Sequence, residues 1–513
     1  MRRFAQLSSV LIVALIMSGC GDVYRPVVIP NPPPTPDPEA SHNAFVISDN
    51  GPANKGTTMQ VNVSGDTNMG AVPLGIAPVH ASLTGTGGRV LSANSLGDSV
   101  SVITPASAFG GIAKVADVVL PTGFHPSFVT TEETTAFYVG GNGATPELGF
   151  VNSSNALVDI KPVPGSAGTT LSMAETSDLK KVYVASSNAN SVTPFNTIDH
   201  SANTAIPVAT PVWVSARSDA GRVYVLSQAT GELIEINPLD DSLVTNTVDA
   251  GAGANYMFYD PHLNRLYITN PVASTATVVN VAPASAQPLR TIPIAAATRD
   301  AADVCSVASP GAVKVVSATA LLDGTRAYIG GYTTLATGIS ISNASGDGTL
   351  VTYSYAAGSG PSLAPGMGIT ITGLKPDTFN GNYTIATVGT GTFQVFSPTP
   401  GSPDLPAAGV GAAQSICPQV TVLNASDNSV RSVIPLDRAP AAFGCDVRFR
   451  LSMAASADSK KVYVGSCDAG GVTVIHTDVD QVAVKLAAPP SAAPSLAGQA
   501  PPPQNPVFVV AGP

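Results

Sequence analysis

The stretch LSMAETSDLKKVYVASSNANSV, beginning at Leu171, returns near the other end of the chain as LSMAASADSKKVYVGSCDAGGV, beginning at Leu451. Fainter copies lie around and between them. RVLSANSLGDSVSVI starts at Arg89, AFYVGGN at Ala136, RVYVLSQATGELIEI at Arg222, RLYITNPVASTATVV at Arg265 and RAYIGGY at Arg326. All fit one template: a basic or small residue, an alternating strand with an aromatic or Leu inside, a Gly/Asn/Ser turn, then a second alternating strand. The landmarks Leu91, Tyr138, Tyr183, Tyr224 and Tyr267 recur at roughly 40–45 residues, the length of one supersecondary unit that cannot bury its apolar surface alone. The gaps before Tyr328 and Tyr463 are longer and need a separate cause.

Each unit reads as four short strands. A strand such as TPVWVSAR leads through a SDAG or SADS turn into the Tyr-bearing strand, and turns such as NASDNS, PLDDS and TIDHS join the last two. Period-two alternation over four to seven residues, bounded by Asp, Asn, Gly and Ser, is the strand-and-hairpin pattern. The 48 Gly and 44 Pro among 513 residues argue against long helices. Sheets that repeat in this way bury both faces when stacked radially, so the expected fold is an all-β β-propeller. Seven units are complete. An eighth, from Asn43, lacks its first strand, and the C-terminal NPVFVVAGP resembles that strand, which favours eight blades closed by both termini over seven.

These repeats resemble the YVTN-repeat propellers, the YncE-like family of bacterial periplasmic and surface proteins. LYITN at Leu266 is the nearest copy of the name-giving motif, and SADSKKVYV matches the approach to it. The resemblance spans most of Asn43 to Pro490. It implies the fold and leaves function open, because propellers host many unrelated activities.

Between Tyr332 and Cys417 the repeat is interrupted. Strand-like runs at Ile339–Ser342, Leu350–Tyr355, Ile369–Thr372, Tyr383–Val388 and Thr392–Phe396 predict a small inserted β module at 335–414, placed where the second strand of a blade turns into the third. The propeller is thus expected over 43–334 and 415–513. Four cysteines remain besides Cys20. Cys417 and Cys467 align just ahead of third strands, and Cys305 and Cys445 each lie just ahead of a first strand, so the alignment pairs Cys305 with Cys417 and Cys445 with Cys467. In a propeller the loops leading into first strands and those joining second to third share one face. Both disulfides, the module and any ligand or partner surface are expected there.

The first 19 residues read as a leader: basic Arg2 and Arg3, an apolar run from Leu11 to Met17, then Ser18-Gly19 before Cys20. Met17-Ser18-Gly19-Cys20 resembles a bacterial lipoprotein signal. That resemblance implies cleavage before Cys20, acylation of Cys20, membrane attachment through it and, with Gly21 next, an outer-membrane address on the periplasmic or surface side. Residues 20–42, GDVYRPVVIPNPPPTPDPEASH after the cysteine, read as an extended Pro-rich tether. Losing Arg2 and Arg3 leaves 22 Lys+Arg against 34 Asp+Glu, a formal charge of −12. Such a surface repels phosphate backbones, which disfavours the single-stranded DNA binding seen among the family it resembles.

No residues announce a reaction. His42, His80, His125, His200, His262 and His476 show no metal-ligand spacing. His125, in TGFHPSF, enters a blade and could line the channel, but a packed or solvated loop histidine is the favoured reading. Asp240-Asp241 and Asp478 with Asp480 read as turn caps rather than a calcium site. GGNG at Gly140 and GAGAN at Gly251 read as turns, the landmark tyrosines as blade packing, and Trp213 as core. The sequence therefore predicts no catalytic or metal-binding residue and no cofactor. It favours a monomeric, lipid-anchored binding scaffold for an envelope protein or glycan. The rival is a lactonase-like or quinoprotein-like propeller enzyme with a metal or cofactor in the channel.

Overall fold

The computed structural model describes residues 43–512, except 107–110, 301–304, 306–310, 340, several positions within 357–376, 397–399, 402–410, 441–449 other than Cys445, 493–500 and 502. Cys20, its leader and its tether lie outside the described residues. What is described is almost wholly β, and the sheets follow one plan. Eight antiparallel sheets each stack four strands from the axis outward, one of them with a short fifth strand beside the stack, and a ninth sheet belongs to the insertion.

The innermost strands are Asn505–Ala511, Pro78–Leu83, Pro126–Thr130, Leu171–Glu175, Pro211–Ala216, Tyr256–Asp260, Lys314–Ala320 and Leu451–Ala455. Each touches the next in that order, and the last touches the first. The chain forms an eight-bladed β-propeller. Blade 1 is the composite one: the C-terminal strand Asn505–Ala511 pairs with Asn43–Asp49, followed outward by Lys55–Asn62 and Thr67–Ile76. The missing first strand of the N-terminal unit is supplied by the tail, as the sequence predicts.

The cores show why the unit must repeat. Eight of the nine apolar clusters straddle interfaces between consecutive blades, one for each interface of the ring. The ninth fills the inserted module. Second strands such as Phe137–Gly141 and Val223–Ser227 are buried at every position, because a neighbouring blade covers each face. Outer strands such as Gln481–Ala487 alternate, because only one face is covered. The landmark residues Leu91, Tyr183, Tyr224, Tyr267, Tyr328 and Tyr463 have no exposure at all.

The basic residue at the head of the second strand has a partner that the sequence does not reveal. It reaches across to the turn between the third and fourth strands of the next blade. Arg89 meets Asn155 (3.2 Å), Lys181 meets Asp241 (2.8 Å), Arg222 meets the Ala284 carbonyl (2.8 Å), and Arg326 meets Asp480 (2.8 Å). Arg265 bonds the Ala425 carbonyl, and Lys461 bonds Asp66 (2.5 Å) across the seam where the ring closes. Asp66, Asn155, Asp241, Asn428 and Asp480 all hold φ between 51° and 59°. Asp and Asn tolerate that left-handed conformation better than other side chains, which explains their place in these turns. Turn capping thus accounts for Asp240, which accepts from Ser242. Asp241 and Asp480 are the acceptors of an inter-blade clasp.

In blade 7 the second strand runs on as Arg326–Ile339 and pairs without a break with Gly411–Asn424, from Arg326↔Asn424 to Ile339↔Gly411. This two-stranded stalk carries the module's sheet, which includes Ile341–Asp347, Leu350–Tyr355, Gly381–Gly389 and Thr392–Phe396. The insertion accounts for the long gap before Tyr463.

Candidate functional site

Strand direction sorts the loops onto two faces. The upper face carries the loops leading into first strands and the turns from second to third strands. The lower face carries the other two sets of turns, and with them the clasps, Asn43 and Gly512. Both disulfides, Cys305–Cys417 and Cys445–Cys467, lie on the upper face, as does the stalk of the insertion. The pairing is the one the repeat alignment gives.

The axis is closed midway by side chains. His80 stacks on Phe128 with ring centroids 3.8 Å apart and lies 4.6 Å from Phe508; Phe128 meets Trp213 edge-on at 5.7 Å, and Trp213 lies 4.6 Å from Tyr256. Four of these five rings follow a proline by two residues, in Pro78-Val79-His80, Pro126-Ser127-Phe128, Pro211-Val212-Trp213 and Pro506-Val507-Phe508. Each of those strands shifts register between the Pro and the aromatic. Proline has no N–H for the ladder, and a bulge there re-aims the following side chain. The result is an aromatic layer across the channel.

Innermost strands are edge strands, and their inward N–H groups need partners. The preceding blade supplies four of them. Val214 donates to Ser172 Oγ (3.0 Å), Val509 to Ser452 Oγ (3.0 Å), Ala455 to Thr319 Oγ1 (3.2 Å) and Val129 to His80 Nδ1 (3.4 Å).

A cavity opens on each side of the layer. The lower one, about 320 Å³, is walled largely by apolar groups such as Leu83, Phe258, Ala320, Met453 and Ala511. The upper one, about 510 Å³, is the candidate site. Its rim is built from the residues just after second strands, among them Ser95, Asn142, Gln228 and Pro271, and from the loops leading into first strands, among them Thr169, Thr170 and Asn255. Phe128, Leu171, Val212 and Val507 form its floor. Among the described residues that line it, no side chain is acidic, basic or otherwise titratable, because the one cysteine, Cys467, is held in a disulfide. The rim is braced by turn chemistry: Asp98 accepts the Gly123 and His125 amides at 2.8 Å each.

Of the two ring systems singled out from sequence, His125 falls as its favoured reading has it and Trp213 does not. His125 sits in a loop at φ 50°, bonded through Nδ1 to the Ser95 carbonyl (3.2 Å), and does not reach the axis. His80 occupies the channel instead. Trp213 belongs to the axial layer and is only partly buried, which corrects the reading of it as core; the bulge after Pro211 turns it inward. Among the described residues no group of three His, Cys, Asp or Glu side chains is placed to hold a metal.

One strongly shifted carboxyl stands apart from both cavities. Glu175, 1% exposed, is pushed up to about 7, mainly by burial; the Glu132 amide (2.6 Å) and the Tyr138 hydroxyl (3.1 Å) donate to it and oppose the rise. It joins blade 4 to blade 3, whose second strand is preceded by Ala136 rather than a basic residue. A carboxyl raised from about 4.5 unfolded stabilises fully below that value, and the contribution is lost as pH rises through 7. The expected result is a higher urea midpoint at pH 5 than at pH 8. Glu175→Gln flattens that slope by up to about 3 kcal/mol; an unchanged slope in the variant would show that Glu175 is not its source.

No family model matches the sequence, and no curated protein sequence matches it. Solved structures do resemble it. Apo AztD from Citrobacter koseri superposes with a TM-score of 0.51 at 10% identity, covering 91% of this chain and 97% of that one. Dihydro-heme d1 dehydrogenase NirN in complex with DHE superposes with a TM-score of 0.52 at 10% identity, covering 93% and 79%. At such identity the likeness speaks for the fold alone.

Proposed function

We propose that this chain is a lipid-anchored cell-envelope propeller of the YVTN-repeat, YncE-like kind, and that it works as a binding module, taking an envelope protein or glycan on its upper face. The observation that carries this reading is the upper cavity itself. Side chains converge there from several blades, and among the described residues that line it none can exchange a proton at neutral pH or act as an activated nucleophile. The lactonase-like and quinoprotein-like alternatives call for acids or cofactor ligands at such a convergence. Nucleic acid calls for cations, and none is among the described residues that line the cavity.

The anchor rests on the leader and on Met17-Ser18-Gly19-Cys20. The described chain begins at Asn43 on the lower face, opposite the cavity.

The test couples a bulky maleimide to one rim at a time, at Val272→Cys on the upper rim (75% exposed) or Leu239→Cys on the lower (88% exposed). Immobilised protein is then titrated with purified envelope polysaccharide and with envelope protein. Saturable binding lost on upper-rim coupling and kept on lower-rim coupling is expected. Binding lost only from the lower rim, or a stoichiometric metal accompanied by turnover, overturns the reading. Cys20→Ala is expected to move the full chain from the detergent to the aqueous phase; a chain that still partitions into detergent refutes the anchor.

A further inference from the structure

We propose that the ligand of the upper cavity is a neutral carbohydrate, an inference that rests on the binding reading above and narrows it to one ligand chemistry. Two rim amides drive it. The side chains of Asn142 and Gln228, each half-buried at the corresponding turn of blades 3 and 5, face the cavity and make no hydrogen bond to any described residue. The amide at the same rim that does have structural work differs visibly: Asn255 is buried and bonded to Thr269. So does the hydroxyl at the equivalent turn of blade 4, Ser187, which accepts from the Thr170 amide. The side chains of Asn142 and Gln228 therefore bond no described residue, and their amides are left open to a ligand or to water.

An amide offers a carbonyl acceptor and two N–H donors in one plane. Vicinal hydroxyls, each donor and acceptor at once, match that set, and so do the hydroxyls of Ser95, Ser127 and Thr170 on the same rim. The Phe128 ring, Leu171 and Val212 below give the apolar C–H face of a pyranose a floor. The charge of the described lining weighs against the alternatives. A phosphorylated sugar or an acidic glycan would bring an anion into a cavity whose described lining offers no cation. A basic ligand would find no carboxylate among the described lining residues, and beside the rim Asp98 accepts two backbone amides while Asp468 pairs with Arg450. The volume of about 510 Å³ suits two or three sugar rings rather than a polymer fold.

The molecule carries its own reporter. Trp213, the only tryptophan, packs edge-on against Phe128 beneath the cavity. Fluorescence titrations of the intact protein use neutral trisaccharides (β-1,4-glucose, α-1,4-glucose, β-1,4-N-acetylglucosamine and α-mannose) and two acidic ones (galacturonic acid and sialyllactose). At least one neutral probe is expected to saturate a change in Trp213 emission. Asn142→Ala or Gln228→Ala is expected to weaken it about tenfold, the loss of one to two neutral hydrogen bonds, and the acidic probes to bind far more weakly or not at all. Neither variant should shift the melting temperature, since neither side chain bonds the protein. No response to any neutral probe, equal affinity in both variants, or an acidic probe binding as tightly overturns the inference. If sugars fail while upper-rim coupling still blocks binding of an envelope protein, only the carbohydrate assignment falls. If both fail, the binding reading falls with it.

Discussion

A chain ended at Pro503, without the strand Asn505–Ala511, is expected to lose the cooperative folded state rather than merely to soften. That strand is the inner wall of blade 1, and it pairs with Asn43–Asp49 across six positions. It buries Val507 and Val509 and packs Phe508 and Val510 into the same region, in the clusters that join blade 1 to its neighbours. At about 1.5–3 kcal/mol for each large apolar side chain, less for the half-buried ones, its removal forfeits about 5 kcal/mol or more before the ladder is counted. A domain's whole stability is about 5–15 kcal/mol. The loss also exposes the edge Asn43–Asp49, strips Phe45 and Ile47 of their cover, and leaves Ser452 without its donor Val509. Far-UV circular dichroism, size exclusion and limited proteolysis should show an aggregating, protease-sensitive chain. A synthetic peptide of residues 503–513 added in excess should restore part of the signal. A truncated chain that melts cooperatively near the full-length temperature would show that the seam is not what holds the ring.

The features legible in the sequence share a physical cause: they depend on local pattern. Alternation, turn residues and the recurring Tyr specify strands and their order within a blade. Counting strands specifies the seam, because one missing first strand at Asn43 and one spare strand after Gln504 can only meet. The same alignment places each cysteine at a definite end of a definite strand, which is enough to pair Cys305 with Cys417. What stayed hidden depends on neighbours that sequence separates widely. Trp213 reads as core because alternation assigns it a face, and a single extra residue in the strand reverses that face. The Pro-x-aromatic pattern at Pro78, Pro126, Pro211 and Pro506 carries that information and was legible in principle. It would also have led to His80 as the histidine of the channel. Asn142 and Asn255 lie in GGNG and GAGAN, which read correctly as turns; that these turns meet around one cavity follows only from closing the ring. Glu175 offers no local clue at all, since what shifts it is burial against blade 3. Its structural reason, the absence of a basic residue at Ala136, becomes visible only after the clasps of the other blades are known.

Replacing Cys305 and Cys417 together by Ser is expected to lower stability by about 5 kcal/mol, and replacing Cys445 and Cys467 by about 3 kcal/mol, on the loop-entropy account. The two bonds close sequence separations of 112 and 22 residues. The larger loop holds two strands of blade 7 and the entire insertion, so cutting the bond frees the longest wandering segment in the unfolded chain. Native packing pulls the other way. Cys445 and Cys467 sit in the cluster between blades 1 and 2, and Cys467 walls the upper cavity. Arg450 holds that corner, bonding Asp468 at 2.6 Å and the Cys445 carbonyl at 3.1 Å. At the other bond Arg299 ties the Leu436 and Pro418 carbonyls at 2.9 and 2.6 Å. Both corners are therefore braced without the sulfur link, and chain entropy decides the order. Urea midpoints of the two double variants measure it. The variant of the shorter loop is expected to keep more stability yet change Trp213 emission, because it alters the cavity wall. A reversed order of midpoints would mean that packing at the Cys445 corner outweighs the entropy of the long loop. The upper rim would then owe its rigidity to that disulfide rather than to the arginine and the turns beside it.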